Sequence, residues 1–219
     1  MNTFLKPSLI AAAVLLAACS PSTEPAAPVA AEPVQEVAPA DQFLAAIASH
    51  CGQAFAGRII ANEPKTDTPD AFEGKTLVMH VRGCENPTQE LRVPFHVGDD
   101  HSRTWVLTRT ADGLRLKHDH RHEDGSDDAV TMYGGDTAAA GSAQRQEFPV
   151  DAESIELFER EDRAVSVTNT WAMEINPGGR FLYELSRPGG RLFQVEFDLA
   201  NPVETPPAPW GSEGVASAE

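Results

Sequence analysis

The sequence contains few basic residues, and this scarcity excludes several classes of partner. Its 17 lysines and arginines are outnumbered by 33 aspartates and glutamates, which gives a formal net charge of −16. Nucleic-acid binding depends on neutralising phosphates with Lys and Arg, and docking on an anionic lipid leaflet depends on a basic face. No apolar run reaches the ~20 residues that a membrane-spanning helix needs. The composition therefore predicts a protein that neither binds nucleic acid nor is integral to a membrane.

Familiar catalytic motifs are missing from the sequence as well. It contains no Gly-x-Ser-x-Gly, no His-Glu-x-x-His and no Gly-x-Gly-x-x-Gly. The tripeptide Gly74-Lys75-Thr76 is similar to the end of a phosphate-binding loop, but Pro69 occupies the position of the first glycine. We therefore expect no nucleotide ligand and no cofactor, and an enzymatic role is not favoured.

The amino terminus carries a recognisable pattern. Lys6 precedes an apolar run over residues 9–18, which is typical of a secretory signal peptide. The run ends in Leu16-Ala17-Ala18-Cys19, which resembles the lipobox of bacterial lipoproteins. That resemblance implies cleavage before Cys19, acylation of Cys19 with diacylglycerol and palmitate-like chains, and, because Ser20 follows, an anchor in the outer membrane facing the periplasm. The alternative is an ordinary secreted protein with a chance cysteine.

Composition divides the rest of the chain into three segments. Residues 19–40 are rich in Pro and Ala and contain no basic residue, which is typical of a disordered tether. Residues 41–200 are expected to form one β-rich domain. Residues 201–219 contain four prolines before a Gly-Ser-Glu-Gly run and are expected to be a disordered tail, in which Trp210 is exposed.

The chain has only three cysteines. If Cys19 carries lipid, Cys51 and Cys84 remain, and two cysteines in an oxidising periplasm most simply form one disulfide. A reactive thiol at Cys51, beside His50, is the alternative, although no Cys-x-x-Cys is present.

The hydrophobic pattern predicts a mainly β fold with two short helices. Asp41 is expected to cap the first helix and Asp151 the second, over residues 152–160. Strand-like alternation covers the following segments: 55–61, 75–82, 90–97, 103–110, 113–122, 128–133, 164–175, 180–186 and 191–199. The last three are separated by Pro-Gly-Gly turns and predict an antiparallel meander. A small barrel or curved sheet, lipocalin-like in shape, is the expected architecture.

One strand concentrates histidines. Its alternation places His118, His120 and His122 on the same face as Leu114 and Leu116. Parallel imidazoles can bind Zn²⁺ or Cu²⁺, and a third or fourth ligand could come from His101, Glu123, Asp124 or Asp127. The alternative is a solvated strand tip without metal.

Three aromatic residues, Trp105, Tyr133 and Trp171, are candidates for a ligand pocket, with ordinary core packing as the alternative. Three functions follow from the sequence. The favoured one is a non-catalytic envelope lipoprotein that binds a protein partner or a small ligand. The others are a Zn- or Cu-binding lipoprotein that uses the histidine strand and a zinc-dependent hydrolase.

Overall fold

The computed structural model describes Met1, residues 36–65 and residues 70–212. It separates the chain into two units, Met1–Gln35 and Glu36–Glu219. The second unit is mainly β, with 47% strand in an antiparallel sheet that nearly closes into a barrel, as the alternation predicted. No helix in the described ranges is long and apolar enough to cross a membrane.

The described elements are two α-helices, one 3₁₀ turn and eleven strands. In chain order they are α1 Pro39–Ala48, β1 Ala54–Glu63, β2 Leu77–His80, β3 Gly83–Asn86, β4 Glu90–Val97, β5 Asp100–Arg109, β6 Leu114–His120, β7 Tyr133–Asp136, β8 Arg145–Pro149, α2 Ala152–Arg160, the 3₁₀ turn Ala164–Ser166, β9 Thr170–Asn176, β10 Arg180–Arg187 and β11 Arg191–Val203.

The sheet runs in the order β7-β6-β5-β4-β2-β1-β11-β10-β9-β8, and β3 pairs with β4. Its two end strands, β7 and β8, meet at a seam, where a methyl group on Gly135 would lie 1.8 Å from the carbonyl oxygen of Pro149. A methyl group on the preceding Gly134 would lie 1.9 Å from the carbonyl oxygen of Leu116 on the other neighbour of β7, β6. The backbones approach so closely there that only glycine fits.

The barrel interior is filled by aromatic side chains. Trp105 packs at 4.6 Å from Tyr183 and at 4.9 Å from Phe95, measured between ring centroids. Phe72, from the segment before β2, stacks at 5.7 Å from Phe95, and the Arg103 guanidinium lies 5.3 Å from the Phe72 ring centre. The interior is therefore a packed core of stacked rings.

The first helix begins earlier than the sequence predicted. Its first residue is Pro39, a favoured first helical residue because its fixed φ suits the helix and the missing N–H has no partner there. Asp41 lies in the first turn and pairs with Arg109, so the prediction that Asp41 caps the helix is wrong. The second helix is confirmed, with the Asp151 carboxylate accepting a hydrogen bond from the Ser154 N–H at 2.8 Å.

Between β6 and β9 the strands differ from the prediction in two places. The predicted strand at 128–133 is irregular because the Asp128 carboxylate accepts the Val130 N–H at 2.7 Å, which turns the chain. The strand lies instead at β7, Tyr133–Asp136. The next strand, β8, was not predicted, because it is mostly polar and buries Gln146 beside Phe148.

The end of the described chain also differs from the prediction. β11 continues to Val203, past the expected boundary at residue 200. Trp210 is half-buried, not exposed, and its backbone N–H donates to the His101 carbonyl at 3.0 Å. We call residues 204–212 the C-terminal strap; its end, residues 209–212, packs against the domain.

Candidate functional site

The histidine strand predicted from the sequence points into the barrel. His118 is 4% exposed, and its two ring nitrogens face Tyr133 and Tyr183. Nδ1 lies 3.2 Å from the Tyr133 carbonyl oxygen, and Nε2 lies 3.0 Å from the Tyr183 hydroxyl. Since a carbonyl only accepts, the proton sits on Nδ1, and Nε2 accepts from the tyrosine. Both nitrogens of His118 are engaged in the protein's own network.

His120 belongs to the same network. Its Nε2 lies 3.1 Å from the Tyr133 hydroxyl. Burial lowers the pKa of His118 to about 3 and that of His120 to about 4, with the Arg103 guanidinium as the second cause for His120. Burial also raises the pKa of Tyr133 to about 12. These groups are therefore neutral near pH 7 and act as hydrogen-bond partners.

The three aromatic residues predicted as pocket walls surround this network. Trp171 lies 5.0 Å from His118 between ring centroids, and Trp105 stacks on Tyr183. The structure thus places Trp105, Tyr133 and Trp171 together, as packing around buried histidines.

The remaining predicted metal ligands lie apart from these two histidines. His122 is exposed after β6, and the Asp124 carboxylate bonds to Ser126. His101 contacts His96 instead. Among the residues that the structure describes, no group of three or more His, Cys, Asp or Glu could hold a metal ion. His118, His120 and His122 do not form the common ligand face that the alternation predicted.

The cysteine pair has the predicted arrangement. The Sγ atoms of Cys51 and Cys84 lie 2.07 Å apart, so they form a disulfide-capable pair that joins the turn after α1 to β3. The predicted lipidation site, Cys19, lies outside the described residues, as do the predicted signal peptide after Met1 and most of the predicted tether.

A cleft on the outer face was not predicted from the sequence. It has a volume of about 220 Å³ and lies between the outward side chains of β4, β5 and β6 and the C-terminal strap. Its apolar walls come from Pro94, Pro209 and Trp210. Its polar walls include three arginines: Arg82, Arg92 and Arg121.

Asp119 organises the arginines of this cleft. Its carboxylate is 2.8 Å from the Arg121 Nε and 3.6 Å from an Arg92 guanidinium nitrogen. The side chain of Asp119 is 10% exposed, while those of Arg92 and Arg121 are 47% and 34% exposed. The carboxylate therefore lies at the base, and the guanidinium groups reach solvent beside Trp210. Glu85 also lines the cleft, and Arg92 and Arg121 pair further with Glu90 at 2.8 Å and with Asp127 at 2.7 Å. Three arginines against Asp119 and Glu85 leave the lining with a small positive excess in a strongly acidic chain.

A histidine cluster lies beside the same strap. The sequence pattern placed His96 outside the core, yet it is 2% exposed, and His80 on the neighbouring β2 is 3% exposed. A register shift between Phe95 and Val97 in the pairing of β4 with β5 accompanies the turn of His101 towards His96. Simple alternation would put His101 on the face of Trp105, so the sequence pattern alone misplaces it.

The sequence held two partial signals for this region. Arg92, Pro94 and His96 alternate with core residues, as do Asp119 and Arg121, which identifies their outward direction. Nothing in that pattern indicates that residues 204–212 return to cover them. Comparison of the chain with protein-family models, with curated proteins and with solved structures finds no match.

Proposed function

We propose that this protein is a lipid-anchored, non-catalytic binding module of the cell envelope, whose outer-face cleft takes a small organic anion. The observation that carries the proposal is the convergence of Arg82, Arg92 and Arg121 beside Trp210 in one cleft. The barrel interior offers no comparable place, because stacked rings occupy its core.

The chemistry of the walls defines the ligand class. Guanidinium groups bind carboxylates through paired, charge-assisted hydrogen bonds. An indole ring and two prolines offer a flat apolar surface. A ligand with a carboxylate at one end and a flat apolar group at the other satisfies both sets of walls. Because the chain as a whole is strongly acidic, such an anion is attracted by the local arginine cluster and not by the net charge.

The ligand class is tested with two probes of equal shape. Phenylacetate carries the carboxylate, and phenylacetamide replaces it with a neutral amide. Saturation-transfer NMR on the purified full chain at pH 7.5 measures both dissociation constants. Phenylacetate is expected to bind at least about tenfold more tightly, since a charge-assisted hydrogen bond contributes about 1.5–3 kcal/mol.

Variants locate that binding. Arg82→Gln and Trp210→Ala should each weaken phenylacetate binding about tenfold or more. Arg160→Gln is the matched control, because Arg160 has a 64% exposed side chain at the end of α2 and lines no part of the cleft. Equal affinity for the acid and the amide, or equal losses in the cleft and control variants, would contradict the proposal.

The anchor is part of the same proposal and rests on residues 16–19. It is tested by mass spectrometry of the amino-terminal peptide of protein extracted from a Gram-negative host with detergent. We expect a chain that begins at Cys19 with a diacylglyceryl thioether, and release of a Cys19→Ser variant from the membrane fraction. An unmodified Cys19, or membrane retention of the variant, counts against a lipid anchor.

A further inference from the structure

The C-terminal strap is held on the outer face by contacts near its carboxyl end. The Trp210 N–H donates to the His101 carbonyl at 3.0 Å, and the two rings lie 6.4 Å apart between centroids. The Arg82 guanidinium donates to the Ser212 hydroxyl at 3.4 Å. Pro209 is buried although it belongs to no helix or strand. A few contacts thus hold a segment that has no regular structure, and those of Trp210 are to His101.

His101 in turn rests against His96. Their Nδ1 atoms lie 2.5 Å apart, and their ring centroids lie 4.7 Å apart. At this separation there is room for one proton between the two nitrogens. If both imidazoles were protonated, both Nδ1 atoms would carry a hydrogen, two positive charges would meet, and the contact would break.

The surroundings of His96 oppose that second proton. The charged and titratable groups that face it are His80 from β2, Arg82 after β2, and Asp100 and His101 from β5. Of these only Asp100 favours a positive charge, while the strap presents the uncharged Trp210 to His101. Burial, followed by His101, lowers the pKa of His96 to about 4.

Two ring nitrogens of this cluster also lack hydrogen-bond partners. Within the described residues, His96 Nε2 and His80 Nδ1 are buried without one. Unpaired buried nitrogens are costly to keep, and they regain partners when water enters. Opening the cluster to water therefore gives both nitrogens hydrogen-bond partners. This gain adds to the relief of charge repulsion once the cluster is protonated.

We propose that the C-terminal strap is an acid-released cover: when His96 and His101 are both protonated, their contact breaks and residues 204–212 leave the outer face. Release removes Pro209, Trp210 and Ser212 from the wall of the cleft. The proposal concerns a segment of this chain and does not depend on what the cleft binds.

Trp210 provides a direct readout of the strap. In the full chain labelled with 5-fluorotryptophan, the ¹⁹F resonance of Trp210 is assigned by its loss in Trp210→Phe. Trp105 and Trp171, which are 2% and 1% exposed, report on the barrel itself. On acidification the Trp210 resonance should move to the position of solvated tryptophan, with a midpoint between pH 6.5 and about 4, the ordinary and the lowered pKa of His96. The other two resonances should stay in place through that transition.

Histidine variants test the cause. In His96→Gln the second charge is removed, so the Trp210 transition should disappear. His101→Gln should behave in the same way and provides a second variant if His96→Gln folds poorly. His122→Gln, which changes an exposed histidine, should keep the parent midpoint. The proposal is overturned if Trp210 moves only together with Trp105 and Trp171, or if both cluster variants retain the parent transition.

Discussion

Tyr183 is the residue on which the buried polar network depends. Its hydroxyl lies 3.0 Å from His118 Nε2, and its ring stacks on that of Trp105 at 4.6 Å between centroids. The Tyr183 hydroxyl is thus the partner of a buried imidazole nitrogen inside an aromatic core. The network stabilises the fold only while all its members are paired, since an unpaired buried group costs its full desolvation penalty.

Replacing this hydroxyl should therefore be costly. We expect Tyr183→Phe to lower the free energy of unfolding by about 1–3 kcal/mol, because it leaves the buried Nε2 of His118 without a hydrogen-bond partner. Tyr133→Phe is the matched control: its hydroxyl bonds to the half-buried His120, which water can reach. Urea unfolding followed by tryptophan fluorescence measures both values. Equal losses in the two variants would contradict this account.

Gly135 is the residue at which the close approach of two backbones can be tested. Gly135→Ala would place a methyl group 1.8 Å from the Pro149 carbonyl oxygen, so the seam between β7 and β8 has to open. We expect a loss of more than about 3 kcal/mol or failure to fold, as for other severe backbone clashes. In Gly179→Ala the atom nearest to the new methyl group, the Asn176 carbonyl oxygen, is 3.3 Å away, and the loss should be much smaller. Thermal unfolding of both variants decides; similar midpoints would mean that the seam is not closed in this way.

At the scale of elements, the sequence-based predictions were most accurate where one local pattern covers the whole element. β4 was predicted with its observed bounds because apolar residues occupy every second position of its sequence over the whole length, although the structure also buries Pro94 and His96 between them. α2 was predicted because Asp151 supplies the side-chain acceptor of a helix start. β8 was missed because one face of it carries Arg145, Glu147 and Pro149, and the other buries an amide. This segment becomes a strand because it pairs with β9, which follows only after α2 in the chain.

The candidate site was less predictable than the sheet. The alternation of β6 correctly put His118 on the core side, but the same rule suggested metal ligands because it could not reveal Tyr183 across the barrel. The cleft joins Asp119 to Pro209 and Trp210, which are far apart in the chain. Contacts of this kind depend on tertiary packing, which local periodicity does not encode.

β3 is the element that depends most on the cysteine pair. Among the described strands it pairs with β4 alone, and its pairing contains a register shift. Cys84 connects it to Cys51 across a sequence separation of 33 residues. A disulfide that closes a loop of this size stabilises a domain by roughly 3–4 kcal/mol on the chain-entropy model.

We therefore expect a double Cys51→Ser/Cys84→Ser variant to unfold roughly 10 °C lower than the parent. Hydrogen exchange should rise first in residues 83–86, because their other attachment is short. The parent protein treated with a reductant serves as the control and should behave like the variant. An increase spread evenly over the sheet would show that β3 is held mainly by its hydrogen bonds.

At the scale of the whole molecule, buried histidines link stability to pH. Burial lowers the pKa values of His96, His118 and His120 to about 4, about 3 and about 4, against an ordinary value of 6.5. Below pH 6.5 these three histidines therefore bind protons in the unfolded chain but stay neutral in the folded chain. Their contribution to stability is complete above that pH and is lost as the pH falls towards the folded values.

We expect the free energy of unfolding to fall between pH 6.5 and pH 4.5 by about 1.4 kcal/mol per pH unit for each of these histidines. Urea unfolding at several pH values measures the slope. Carboxylates contribute mainly at lower pH, because their ordinary pKa values are 3.8 and 4.5. A His122→Gln variant should keep the slope, and a stability that stays flat down to pH 5 would contradict the burial of neutral imidazoles.

The pairing of β1 with β11 has a consequence for how the chain is made. Ala54 lies opposite Val203, and Glu63 lies opposite Leu192, so two neighbouring strands within the sheet come from opposite ends of the domain. A chain that emerges amino terminus first holds β1 without its partner until the last strand has emerged. Sheets that rely on such distant pairing fold slowly, in milliseconds to seconds. Synthesis or export of this domain therefore ends before its sheet can be completed, and an interruption ahead of β11 leaves β1 with one open edge.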